Sequence, residues 1–136
     1  MTFEKLNEDA IFPHYQTIGS AGLDLHSIEA ATIFPGQRQL VGTGLRINLP
    51  KGTEGQIRPR SGLAVKFGIT VLNSPGTIDE DYSGELKVLL YNTGDSTFSI
   101  EKGDRIAQLV LAQVYKLPGF TLDNIREDKG FGSTGL

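Results

Sequence analysis

The sequence predicts an all-β fold, an antiparallel sandwich or jelly-roll-like barrel, and three observations carry that reading. Seventeen glycines and six prolines fall in a chain of 136 residues, supplying tight-turn corners and breaking central ladders. Turn signals recur at Pro35-Gly36, Pro50-Lys51-Gly52, Pro75-Gly76, Asn92-Thr93-Gly94, Lys102-Gly103-Asp104 and Pro118-Gly119. Between them lie short apolar-rich stretches with no long 3.6-residue periodicity and no βαβ pattern. Short strands at such close spacing build sandwiches and barrels.

Taken in chain order, Leu45-Arg46-Ile47-Asn48-Leu49 alternates as a half-buried strand does. Ser61 to Phe67 is the one stretch that suits a short helix. Glu85 to Tyr91 returns to alternation, with Leu86, Val88 and Leu90 on one face. Arg105 to Tyr115 is the longest apolar strand, and it holds an oddity. Gln108 shares the two-residue period of Ile106, Val110, Ala112 and Val114, the face expected to be buried. A buried amide without partners costs about 1–3 kcal/mol, so Gln108 needs either a backbone partner or a ligand. Phe120 to Leu136 is different in kind, polar and then glycine-rich, and reads either as a disordered tail or as an arm that orders over a ligand.

The composition excludes several classes of function. The net charge is −3 and the sequence pI is about 5.3, without the basic stripe of a duplex-DNA binder; stable nucleic-acid binding is not expected. Cysteine is absent, which removes disulfides, thiolate catalysis and cysteine metal sites. His14 and His26 alone are too few for a zinc site. No apolar run approaches the roughly 20 residues of a membrane helix, and the acidic start Met-Thr-Phe-Glu-Lys-Leu-Asn-Glu-Asp does not read as a signal peptide. A cytoplasmic location without membrane contact is the expectation.

Two formal motifs fail on their surroundings. Gly130-x-Gly132-x-x-Gly135 matches a dinucleotide fingerprint, but only Leu136 follows, so the helix that would hold pyrophosphate is not expected. Asp79-x-Asp81-x-Ser83-Gly84 imitates a calcium loop, but its twelfth position is Leu90 instead of Glu. There is no Gly-x-Ser-x-Gly nucleophile elbow either.

Five segments, however, resemble in order the motifs of the trimeric dUTPase family. They are Ala21-Gly-Leu-Asp-Leu-His-Ser27, Pro59-Arg-Ser-Gly-Leu-Ala-Val-Lys66, Gly76-Thr-Ile-Asp-Glu-Asp-Tyr-Ser-Gly84, Gly103-Asp-Arg-Ile-Ala-Gln-Leu109 and Gly130-Phe-Gly-Ser-Thr-Gly135. The resemblance implies a distorted jelly-roll β-barrel over residues 1–136, with residues 119–136 as the arm. It also implies a homotrimer whose active sites are shared between chains, and hydrolysis of dUTP to dUMP and pyrophosphate with Mg2+.

By the same resemblance Asp79 orients and deprotonates the attacking water, a role a carboxylate fills at neutral pH when position matters more than basicity. Arg60, Ser61 and Gly62 resemble a phosphate clamp, and Gln108 a phosphate contact. Asn73, Gly76, Thr77 and Ile78, in a β-hairpin closed by the strand around Lys87, would read uracil largely through backbone groups. Tyr82 resembles the residue packed against deoxyribose, where a 2′-hydroxyl would clash. Asp24 would touch, through water, a Mg2+ held mainly by the triphosphate. Arg126, Phe131, Gly132 and Ser133 match the arm, with Phe131 stacking on the base.

The arm departs from the family pattern, since Glu127 and Lys129 stand where glycines are common; Lys129 is expected to compensate as a phosphate contact. The runner-up by fold is a dCTP deaminase, whose motif continues Ser-Ser-Leu-Ala-Arg with a Thr-Leu-Glu strand. Here the chain reads Ser61-Gly-Leu-Ala-Val65 and Glu85-Leu-Lys-Val-Leu89. A non-catalytic nucleotide-binding regulatory trimer is the third reading.

Overall fold

Turn chemistry dominates the observed architecture, which is a computed structural model describing residues 1–122. The strands are β1 (Thr2–Lys5), β2 (Leu23–His26), β3 (Ala31–Ile33), β4 (Arg38–Gly42), β5 (Leu45–Asn48) and β6 (Thr53–Arg58). After helix α1 (Ser61–Phe67) come β7 (Ile69–Val71), β8 (Gly76–Ile78), β9 (Lys87–Asn92), β10 (Phe98–Ile100) and β11 (Arg105–Gln113). The fold is thus mostly β with one short helix, and that helix occupies the predicted residues. Gly68 ends it in the left-handed region at φ 68°, donating its N–H back to Ala64 and Leu63, a conformation glycine adopts without Cβ strain.

All strand pairs are antiparallel. One sheet runs β2-β11-β6-β8 and another β4-β9-β7, with two-stranded pairs β1-β5 and β10-β3 beside them. One apolar cluster includes Leu25, Val41, Leu45, Ile47, Ile69, Leu86, Val88, Leu90, Ile106 and Leu109. The alternation predicted for β5 and β9 therefore holds, because Leu45 and Ile47, and Leu86, Val88 and Leu90, are buried. Asn92 is also fully buried, and its side chain is satisfied by Ile33, Ser96 and Gly94 backbone groups, as a buried amide requires.

Two expectations need correction. The burial of β11 changes face along the strand. Ala107 and Leu109 are at 0% exposure and Ile106 of the predicted face is buried as well, while Gln108 is half-buried. Beyond Leu109 the predicted face of Val110 and Ala112 is half-buried and that of Leu111 and Gln113 exposed. An irregularity in the β2–β11 register between Arg105 and Ala107 puts Ile106 and Ala107 both inside and shifts the alternation by one residue. Such a bulge reverses which side chains face the core. The hairpin expected around β8 is the other correction, because β7 and β8 do not pair with one another. β7 pairs with β9 and β8 with β6, so Leu72–Pro75 passes from one sheet to the other through a cis Ser74–Pro75 peptide.

Candidate active site

The polar residues singled out from the sequence gather in two separate places on the β2-β11-β6-β8 sheet. Residues opposite each other in an antiparallel pair put their side chains on the same face. Leu23, Leu109, Ile57 and Gly76 form one row across all four strands, and Asp24, Gln108 and Arg58 form the neighbouring row. Successive rows face opposite ways. The row of Leu23 and Leu109 points into the core, and the row of Asp24 and Gln108 points away from it.

On the core-side row lies a cleft, partly open to solvent, lined by strand residues. Asn73, Gly76, Thr77, Ile78, Tyr82 and Lys87 all line it, together with Ile57, Val71, Glu85 and Leu89. The walls are apolar strand residues, while β8 lies at the edge of the sheet with one side of its backbone unpaired by the ladder. A flat heterocycle with hydrogen-bonding edges suits such a slot. Tyr82 is held at both ends, its N–H donating to the Asp79 carbonyl at 3.1 Å and its hydroxyl to the Glu85 carbonyl at 2.7 Å.

On the outward row lies an open polar cleft that brings together Asp24, Arg60, Ser61, Gly62 and Gln108. Arg60 precedes α1 as its N-cap in extended conformation and makes no side-chain cap. Its guanidinium instead donates to the Arg105 carbonyl at 3.1 Å. Arg105 pairs with the nearly buried Asp24 at 3.4 Å. The Gln108 amide donates to the Pro59 carbonyl at 2.9 Å, so a backbone partner for it exists, and the side chain also borders the cleft. Gly22 leaves room for that amide, since a Cβ there would lie 2.1 Å from Gln108 Oε1. Two guanidiniums and an amide donor around an open polar hollow suit phosphate oxygens.

His26, beside this cleft, has a buried Nδ1 without a hydrogen-bond partner among the described residues. Burial holds its pKa below the ordinary 6.5; Asp24 pulls the other way, while His14, Arg105 and Arg60 add to the lowering. The His14 and His26 rings stack at 6.5 Å.

Asp79 falls in neither cleft. It borders a third hollow with Thr53, Glu54, Glu80, Asp81, Val114 and Lys116, one residue beyond the end of β8. Within one chain, therefore, Asp79 is not brought together with Arg60, Ser61 and Gln108. Arg126, Phe131, Gly132, Ser133 and Lys129 lie outside the described residues. Sequence reasoning missed Arg105 and Glu85, although Arg105 sits inside a quoted motif and Glu85 directly follows one. It also missed Ile57, Val71 and Leu89, which carry no polar signal and read as ordinary core.

An apolar slot beside an edge strand and a polar cleft with two guanidiniums are the two hollows that hold most of the residues singled out from the sequence. A family model described as dUTPase matches residues 8–135. The deoxyuridine 5′-triphosphate nucleotidohydrolase of Nautilia profundicola is 52% identical over 99% of this chain and 98% of its own. Its counterpart in Hydrogenobaculum is 53% identical over 98% and 96%. Among solved structures, dUTPase from Streptococcus mutans is 29% identical with a TM-score of 0.79, covering 88% of this chain and 100% of that one. A D95N dUTPase from Staphylococcus aureus phage phi11 shares the fold at a TM-score of 0.80 and 22% identity, over 93% and 98%. This chain belongs to the dUTPase family.

Proposed function

We propose that this chain hydrolyses dUTP to dUMP and pyrophosphate at a site that more than one copy of the chain completes. One observation carries the shared site: the apolar cleft and the polar cleft have no lining residue in common and lie on opposite-facing rows of one sheet. A closed cyclic assembly would set the apolar cleft of one copy against the polar cleft of its neighbour, so that one nucleotide spans both. Support for a trimer comes also from the run after β11, where Tyr115, Leu117, Phe120 and Leu122 stand largely exposed. An apolar run of this kind calls for cover.

The roles follow from chemistry. The edge of β8 with Asn73 reads the uracil edge through groups of fixed direction, rejecting cytosine's inverted donor pattern. Tyr82 stands against the sugar. The neighbour's Arg60, Ser61 and Gln108 hold the phosphates as charge-assisted and neutral donors. Asp79, which follows Ile78 of the apolar cleft, orients a water for in-line attack at the α-phosphorus and takes its proton.

The donor set fits a magnesium ion that arrives on the triphosphate. Asp24 is a single carboxylate already paired with Arg105, and no cluster of three or more His, Cys, Asp or Glu ligands exists among the described residues. That arrangement suits a hydrated, phosphate-borne ion touched by Asp24 through water better than a bare one. When bound, magnesium offsets the charge gathered on the phosphate oxygens. No helix of the described residues is long and apolar enough to cross a membrane, and a cytoplasmic setting is the proposed location.

Pyrophosphate release from dUTP, dTTP, dCTP and UTP, run in parallel with an ammonia assay on dCTP, tests this function. The expected result is fast release from dUTP alone and no ammonia. Comparable turnover of dTTP would overturn the pocket assignment; ammonia from dCTP would favour the deaminase; dUTP binding without release would favour the regulatory trimer.

A further inference from the structure

We infer that Glu85 is a positioning residue for sugar selectivity, its carboxylate fixing the Tyr82 ring where deoxyribose fits and ribose does not. The inference rests on the proposed reading of the apolar cleft as the nucleoside site. Glu85 touches no part of the attacking water or the phosphates in that reading.

The coupling runs through backbone. The Tyr82 hydroxyl donates to the Glu85 carbonyl at 2.7 Å, so a shift of the Glu85 backbone is passed to the ring. Tyr82 and Glu85 both line the cleft. The Glu85 side chain also accepts the Gly44 N–H at 3.0 Å. Gly44 belongs to the buried turn between β4 and β5. The next residue continues the seam: Leu86 donates to the Leu45 carbonyl at 2.7 Å, and both the amide and the hydroxyl of Thr43 donate to the Leu86 carbonyl. The Leu86 N–H shares one planar peptide with the Glu85 carbonyl, so that carbonyl is held on one side by the bond to Leu45 and on the other, through Cα, by the carboxylate on the Gly44 amide.

Gly42 makes that reach possible. A Cβ at Gly42 would lie 2.3 Å from Glu85 Oε2 but no closer than 3.4 Å to any other atom given for it, and its φ is not positive. An alanine there would displace the carboxylate tip at little cost elsewhere. A half-buried side-chain oxygen accepting a turn amide anchors the Glu85 backbone, and small displacements of a positioning group have large consequences for discrimination.

Steady-state kinetics with dUTP, UTP and dCTP test the assignment. Glu85→Ala and Gly42→Ala are each expected to lower the dUTP-over-UTP ratio of kcat/KM about tenfold, leaving the dUTP-over-dCTP ratio unchanged because β8 reads the base. Glu85→Gln retains an oxygen for the Gly44 amide and is expected to keep the wild-type ratio. The Glu85→Ala/Gly42→Ala double variant is expected to lose no more than either single one. An unchanged dUTP-over-UTP ratio in both alanine variants, equal falls in both ratios, or a Gln variant as impaired as the Ala variant would each overturn the inference. A wild-type enzyme that turns over UTP as fast as dUTP would instead overturn the underlying reading of the cleft, and the inference with it.

Discussion

The side-chain amide of Gln108 donates to the carbonyl of Pro59 at 2.9 Å, tying the middle of β11 to the residue that precedes Arg60. The bond turns a strand side chain into a strut for the loop proposed to hold the phosphates. Gly22 is the third member, because its missing Cβ is the space that the Gln108 amide oxygen occupies.

Gly22→Ala should therefore act as a distant clamp mutation. Its Cβ would push the Gln108 amide off Pro59, and kcat/KM for dUTP is expected to fall about tenfold, as for loss of one hydrogen bond to a charged group. The fold should survive, since the sharpest conflict, 2.1 Å, is with the amide end of a flexible side chain, and the 3.1 Å approach to the Gln108 Cβ needs a shift of only a few tenths of an ångström. Unfolding curves like wild type together with impaired kinetics are the expected pair of results. Unimpaired kinetics would contradict the strut.

How much of this was legible in the sequence differs residue by residue. The α1 boundaries and the β5 and β9 alternation follow from local periodicity and turn residues, which act over a few positions. The face of Gln108 was not legible, because the irregularity between Arg105 and Ala107 depends on pairing with β2 and leaves no mark in β11 itself. The membership of each cleft came through the ordered motifs rather than through composition. The hollow that holds Asp79 depends on β8 lying beside β6, a long-range pairing that no local pattern announces.

Asn92 carries a stability prediction. Its side chain serves the Ile33 and Ser96 carbonyls and the Gly94 amide from a fully buried position. Asn92→Leu replaces the amide with an apolar side chain and orphans those groups, and is expected to cost about 2–4 kcal/mol. Urea unfolding of the two proteins measures it; a loss under about 0.5 kcal/mol, the range of a neutral surface change, would contradict the account.

His26 carries the pH dependence. Burial lowers its folded pKa below 6.5, with Asp24 opposing and His14, Arg105 and Arg60 reinforcing. The unfolded chain then binds the proton more readily, so stability is unaffected above pH 6.5 and falls as pH drops from there toward the folded pKa. His26→Gln should flatten the curve of unfolding free energy against pH over that interval in the nucleotide-free protein. Parallel curves for variant and wild type would refute the assignment.

The most direct measurement is co-assembly of two inactive variants, Asp79→Asn and Arg60→Ala, unfolded together and refolded at equal amounts. Each alone is expected to bind dUTP poorly or hydrolyse it barely. If Asp79 of one copy serves the phosphates held by Arg60 of another, random mixing restores about a quarter of the sites, and about a quarter of wild-type pyrophosphate release should return. No recovery from a mixture shown to have co-assembled would contradict the shared site.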